Sequence, residues 1–431
     1  MRSITSMRTA RTVVLAVIMT LAPLVAGAQE PPDPPTPTPA DTATKPSYPN
    51  TTAGEFTPAK GFDIVKTSMA SLNISFYGLF RYLNQLEADQ TFDDHLGRER
   101  VVDTRRDLNW HRTMVWLTGF FFVPNFRYNI TLWSLGTTQQ SLLFGNLQYR
   151  FNPGLIVGVG ILPNLTARSM QGSWPFWAGS DRTMAEDFFR GGFSSGLFVA
   201  GQPLSRLYYN VSVNSNISQL GVTAANDTRN MSYSASLMWM PTTGEFGPRG
   251  GLGDLEHHEE LATRFGISAG TSREARYANN TVPPNATQIK LSDGVNPFDT
   301  GALADGVTVE KLDYDLVAFD AGIKFRGFSF QGEYYFRKLS NFMADGPVPV
   351  ESLSDHGFMA QAMHMVVPKK VGVFVSGGYV FDEFERKPWE LGGGVSVYPS
   401  GTRTWRLNLY LMRIEKSPAS STFGYYTAGQ S

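Results

Sequence analysis

Nine basic residues stand where fixed positive charge could act on a passing solute: Arg81, Arg127, Arg168, Arg182, Arg190, Arg264, Lys324, Arg337 and Arg406. Arg168, Arg182 and Arg190 share a polar, broken stretch, residues 163–192, with Trp174, Pro175, Phe176 and Trp177. The other six lie in segments that alternate apolar and polar, always in the polar phase. A ring of Arg or Lys selects anions, because each fixed charge offsets the desolvation of a passing anion. The plainer reading is that each cation pairs with an acid such as Asp320 or Glu333 and stiffens a wall, since an unpaired charge away from water is costly. Bond-breaking chemistry has no comparable signal. No Gly-x-Ser-x-Gly, His-Glu-x-x-His or phosphate-loop pattern occurs. His257, His258, Glu259 and Glu260 could offer metal ligands, but adjacent residues do not converge as ligands one helical turn apart do. A solvated turn is expected there, and no catalytic residue, metal or cofactor is expected anywhere.

The segments that carry the cations must be strands. In residues 317–326, Val317, Phe319, Ala321, Ile323 and Phe325 oppose Asp320, Lys324 and Arg326. In residues 328–337, Phe328, Phe330, Tyr334 and Phe336 oppose Gln331, Glu333 and Arg337. Residues 71–84, 126–133, 207–216, 231–239 and 405–412 repeat the pattern. Period two with one apolar and one polar face means a sheet whose sides meet different solvents.

Three features turn that sheet into a transmembrane barrel. The strands are about ten residues long, enough to cross a bilayer at a tilt. Connections alternate between tight, as at 123–125, 152–154, 326–327 and 368–370, and long, as at 85–111, 163–192, 217–230, 272–311 and 339–356. Short periplasmic turns and long outer loops are the outer-membrane pattern. Residues 241–260 break the rule, being long where a tight turn is due. Aromatics gather beside the tight turns: Phe120, Phe121, Phe122 and Phe126, then Tyr149 and Phe151, Phe325 and Phe328, and Tyr398 and Trp405. That is where an interfacial girdle belongs. The count is about 16 strands, wide enough for an aqueous lumen. The expected fold is therefore all-β: a transmembrane antiparallel β-barrel with residues 163–192 as an inward-folded third loop.

The chain ends and composition agree. Arg2, Arg8 and Arg11, an apolar run over 13–25 and Ala26-Gly27-Ala28 read as a signal peptide, residues 1–28, cleaved before Gln29. Residues 29–60, rich in Pro and Thr, read as a solvated periplasmic linker, and residues 61–431 as the barrel. A net charge of -1 argues against nucleic acid as a partner. Cysteine is absent, and a closed barrel needs no disulfides because its hydrogen-bonded ring has no edges.

Around the third loop, Gly158-Val-Gly-Ile-Leu-Pro163, Trp174-Pro-Phe-Trp177 and Glu186-Asp-Phe-Phe-Arg-Gly-Gly192 resemble the phosphate-selective porins of Gram-negative outer membranes, porins O and P. Residues 357–362, Pro368-Lys-Lys370 and Gly377-Gly-Tyr379 are similar to that family's late hairpin, with His364 where an aromatic is usual. The resemblance implies a sixteen-stranded homotrimeric channel whose third loop constricts an arginine-lined path for phosphate-like anions. Two features depart from it. Lysine is sparse while the loops carry Asp93, Asp94, Glu186, Asp187, Asp382, Glu383 and Glu385. The chain also ends Phe423-Gly-Tyr-Tyr-Thr-Ala-Gly-Gln-Ser431 rather than on an aromatic.

Three functions fit these residues. The leading one is passive diffusion of small hydrophilic solutes, anions foremost, across an outer membrane whose lipid is the surrounding partner. The second is a barrel hydrolase, for which only His95, His111 and His356 lie near outer loops. The third is a plugged structural or receptor barrel.

Overall fold

The computed structural model describes residues 61–86, 91–101, 106–135, 140–171, 177–217, 230–244, 246, 251–276 and 289–418. The expected signal peptide and linker, Trp174 to Phe176 and the chain end from 419 lie outside the described residues. The strands in chain order are β1 (Phe62–Lys66), β2 (Ala70–Asn84), β3 (Thr91–Asp93), β4 (Glu99–Val101), β5 (Arg106–Phe121), β6 (Phe126–Leu135), β7 (Gln140–Asn152), β8 (Leu155–Pro163) and β9 (Phe193–Leu204). There follow β10 (Leu207–Asn214), β11 (Ser232–Trp239), β12 (Ala262–Ala275), β13 (Val309–Phe325), β14 (Phe328–Ala344), β15 (Ser352–Val367), β16 (Val371–Phe381), β17 (Trp389–Val397) and β18 (Leu407–Glu415). β3 and β4 pair only with each other. The other strands form one 16-stranded sheet in which each pairs with its neighbours in the chain, always antiparallel. No described helix is long and apolar enough to cross a membrane.

Alternation sets the two faces. On β13 the polar-phase residues Asp320 and Lys324 are 5% and 0% exposed, while Phe319 is 49% exposed. On β16 Val373 and Val375 are exposed, and on β18 Leu409 and Leu411. Apolar outside and polar inside is the reverse of a soluble sheet and fits a wall standing in lipid. The sheet is curled into a barrel, so its two ends meet the same inner segment. Arg112 on β5 reaches Asp181, and Arg406, immediately before β18, reaches the carbonyl of Gly179.

One set of connections is tight. Arg326 and Gly327 join β13 to β14 with φ of 46° and 83°, the doubly left-handed turn that matches hairpin twist. The opposite set is longer, and the first of them carries the β3–β4 hairpin.

Four details correct the sequence reading. β5 starts at Arg106, inside the expected 85–111 loop, because a bulge at His111 lets the strand continue past a break in alternation. β14 and β15 extend the hairpin so that its loop shrinks to 345–351. Tyr398 is only 2% exposed and packs inward, not in the girdle, whereas Phe122, Phe151 and Trp405 are exposed as expected. Residues 251–255, part of the connection 241–260 expected at the periplasmic end, are all buried. The Gly253 amide donates to Ser329 Oγ (3.0 Å), and Arg403 donates to the Gly253 carbonyl (2.6 Å).

Val375 lies mid-strand on the apolar face, so Val375→Arg should destabilise the barrel by about 2–4 kcal/mol. Equilibrium unfolding from lipid vesicles reads this; an unchanged midpoint would mean that face does not meet hydrocarbon.

Candidate functional site

Between β8 and β9 the chain forms a 3-10 turn, Arg168–Gln171, and one short helix, α1 (Met184–Phe189). Thr183 caps α1, its hydroxyl accepting from the Glu186 amide. The segment is too polar to be a strand, and its backbone groups find partners on the polar face of the sheet. The Arg168 amide donates to Glu333 Oε1 (2.7 Å), the Ala178 amide to Gln361 Oε1 (2.8 Å) and the Met184 amide to Glu390 Oε1 (2.9 Å). In return, Tyr314 donates to the Phe189 carbonyl (2.7 Å), and Arg406 to the carbonyls of Trp177 (2.6 Å) and Gly179 (3.0 Å). Acceptors and donors on β13 to β18 thus do for this backbone what a ladder does for a strand.

Apolar contacts fix it further. Met184, Ala185, Phe188 and Phe189 join Tyr314, Leu316, Tyr335 and Met359 of the wall in one buried cluster. Ile289, Leu291, Phe298 and Leu303 of the long β12–β13 connection belong to it too. Phe189 stacks on Tyr335 with centroids 4.9 Å apart.

The nine basic residues divide sharply. Arg264 donates to Asp320 Oδ1 at 2.9 Å, and Arg168 stands 4.0 Å from the same oxygen. Arg337 meets Asp355 Oδ2 at 2.6 Å, donates to the carbonyls of Phe188 and Lys290, and lies 3.9 Å from the Phe188 ring. Arg182 lies 3.7 Å from Glu186 and over the Trp177 ring, and Arg190 donates to Asp187 (2.9 Å). Lys324, fully buried, lies 3.7 Å from Glu256. Arg81 is buried within electrostatic reach of Tyr410 on β18. Of the nine, only Arg127 is exposed; its Nε donates to the Pro124 carbonyl at the β5–β6 turn. Most of the set therefore holds acids and carbonyls in place. Burial, reinforced by the charge of Arg264, pulls the Arg168 guanidinium down to about 9 against Asp320, Glu333 and Glu186. Burial pushes the Glu186 carboxyl up.

Sequence reasoning missed Arg112, because it fell at the edge of a presumed loop; its NH2 lies 3.1 Å from Asp181. Missed also was the cluster where Arg403 and Lys324 share Glu256. Asp254, Glu256 and His258 come within 4.8 Å of one another, close enough for a metal. The two cations already neutralise Glu256, and Asp254 accepts from the Gly327 amide and faces His258, so the trio closes on itself.

What this leaves open lies on the other half of the wall. A cavity of about 650 Å³ runs beside β2, β5, β6, β7 and β10, lined by Asn73, Thr118, Asn129, Asn146, Gln148 and Asn210. Arg127, Asp63 and Lys66 border it, with Leu162, Pro163 and Leu165 at the root of the inner segment.

No protein-family model matches this sequence, and no curated protein matches it. Among solved structures it is similar to outer-membrane expressed OmpT of Vibrio cholerae, at 10% identity, covering 85% of this chain and 95% of that one with a TM-score of 0.51. The trimer form of in-vitro folded OmpT from the same organism gives 11% identity, 84% and 94% coverage and a TM-score of 0.52. The fold is that of an outer-membrane β-barrel. At such identity the likeness extends to the fold alone.

Two predictions follow from the paired charges. Arg337→Ala leaves Asp355 buried without its cation and should cost about 3–5 kcal/mol in denaturant unfolding, whereas an exposed ion pair would cost at most about 1 kcal/mol. The second concerns pH. Burial pushes the Glu256 carboxyl up, but Arg403 and Lys324 outweigh it and hold it at about 2, against an ordinary 4.5. A depressed carboxylate stabilises the fold above its ordinary value and loses that contribution as pH falls through the folded one. Glu256→Gln should therefore melt below wild type above about pH 5, and the gap should close as pH falls toward about 2. Thermal scans across that range check it.

Proposed function

We propose that the chain is an outer-membrane channel through which small hydrophilic solutes diffuse passively. The carrying observation is the unequal filling of the barrel. The β13–β18 half is packed by the inner segment and by the 251–255 stretch, while the β2–β10 half keeps a polar cavity. In this reading residues 163–192 narrow the lumen to one side without sealing it. A barrel of 16 strands is wide enough for that.

The anion preference expected from the sequence rests on what positive charge remains uncompensated. Arg127 is exposed on the cavity wall and Lys66 borders it, against Asp63. The preference is accordingly mild, and a strong phosphate selectivity would need cations that are here engaged with acids. Export by a cleaved signal peptide and assembly as a homotrimer complete the proposal; the second of the two OmpT structures is a trimer form.

The hydrolase reading has one observation in its favour: His95 Nδ1 lies 2.6 Å from Asp293. That imidazole is 2% exposed and stacked on Phe384 at 4.2 Å, so it clamps outer loops and does not meet a substrate. His356 lies among Tyr334, Phe336 and Phe381. The chain is proposed to be no enzyme.

Planar-bilayer recording of the mature protein under a KCl gradient tests the channel. Clear steps in threes with a small chloride preference are expected. A unit charge about 8 Å from a passing ion in a water-like dielectric is worth about 0.5 kcal/mol, roughly a factor of two. Arg127→Glu removes one positive charge and adds one negative, each acting oppositely on the two ions, and should therefore shift the chloride-to-potassium ratio about sixteenfold toward potassium. A folded barrel with no conductance would discard the channel.

A further inference from the structure

Four strands bring uncharged polar side chains into one transverse row. Asn73 pairs opposite Thr118, Thr118 opposite Asn129, and Asn129 opposite Asn146. All four line the cavity. One row toward the tight turns, Arg127 stands opposite Gln148. Thr118 Oγ1, Asn129 Oδ1 and, from β10, Asn210 Oδ1 are buried without a hydrogen-bond partner. Such atoms normally find one. Two aromatic residues on the face of Arg127 and Asn129, Phe120 and Phe198, line the same cavity. Gly158 makes the second possible: a Cβ there would come 2.2 Å from the Phe198 ring.

We propose that this cavity binds a pyranose sugar, one or two rings long; the site rests on the channel reading only for the sugar's route to it. A primary amide offers a donor and an acceptor side by side, the match for neighbouring hydroxyls that both give and accept. The C–H faces of a sugar ring are apolar and lie well against aromatic rings. A few placed polar groups in an otherwise shaped pocket of some 300–1,000 Å³ is the usual form of a small-molecule site, and this cavity measures about 650 Å³. An inorganic anion would use this wall poorly. Charge-assisted pairing needs cations, and those bordering the cavity, Arg127 and Lys66, are opposed by Asp63.

Saturation-transfer NMR on the full-length protein in detergent, with maltose as the probe, reads the site whether or not the barrel conducts. Transfer to the maltose ring protons is expected. The Asn129→Ala/Asn146→Ala double variant should weaken binding by about tenfold or more, roughly 1.4 kcal/mol. Asn210→Ala is a second, smaller change should the double variant fold poorly. No transfer from wild type, or equal transfer from folded variants, would overturn the assignment. So would displacement of maltose by inorganic phosphate, which would make the cavity an anion site. Sugar binding without conductance would keep the site and discard the channel; conductance without sugar binding would do the reverse.

Discussion

Asp320 stands on the inner face of β13 between two guanidinium groups. Arg264 comes from the neighbouring strand at 2.9 Å, and Arg168 from the segment between β8 and β9 at 4.0 Å. All three side chains are almost wholly buried. Burying any one of them alone would cost several kcal/mol, because an isolated ion loses its hydration with nothing to replace it. The carboxylate is therefore shared between wall and segment, and each holds the other's charge. The same logic recurs where Glu333 accepts from the Arg168 amide and where Arg337 joins Asp355 to the Phe188 carbonyl. The inner segment is held because the wall's polar face would be poorly satisfied without it.

Most of those ties fall on one side, with Arg112 of β5 holding Asp181 from the other. The segment's hydrogen bonds to acidic side chains reach β14 and β17, and its apolar cluster draws on β13 to β16 and on Ile414 of β18. From the tight-turn end, Leu252 and Leu255 pack with Met363, Met365, Phe374 and Tyr398, and with Ala178 of the inner segment. Phe246 lies 5.5 Å from the Arg168 guanidinium and 4.9 Å from Lys324. Two connections entering from opposite ends therefore touch, and a desolvated cation against an aromatic face is the contact between them. Filling from both ends packs this side of the barrel.

The fold was legible because period two survives nearly everywhere. A one-residue slip would send Lys324, Arg337 and their acids to the lipid face, so the alternation had to be written plainly into the sequence. It failed at His111, where a bulge shifts register between Leu79 and Phe80 of the partner strand and hides Arg112 from a phase argument. The basic residues of the candidate site were legible as a set, but not in their roles. Arg406 meets a carbonyl 229 residues away, and no local pattern announces such a partner. The turn at 241–260 was noticed as too long, yet its inward course depends on Arg403 and Ser329, both distant in the chain. Tyr398 was misplaced for the same reason: an aromatic beside a tight turn belongs to the girdle unless something inside the barrel needs it.

The difference between the two halves of the wall then has a physical basis. On β13, β14, β15 and β17 the inner face carries Asp320, Lys324, Glu333, Arg337, Asp355 and Glu390 among neutral residues, and charged groups in a narrow space call for partners, which neighbouring strands and the two inward connections supply. On β2, β5, β6 and β7 the inward row is Asn73, Thr118, Asn129 and Asn146, none of which needs a counter-ion. An amide or hydroxyl can exchange its partner between water and a solute at little net cost, because one hydrogen bond replaces another of similar strength. A charged wall without its segment would bind ions tightly or force others to fill it. A neutral one can remain open to water beside a filled half. Most of the buried charge pairs and the neutral row thus sit on different strands of one sheet, with Arg112 of β5 as the charged tie from the neutral side to the inner segment.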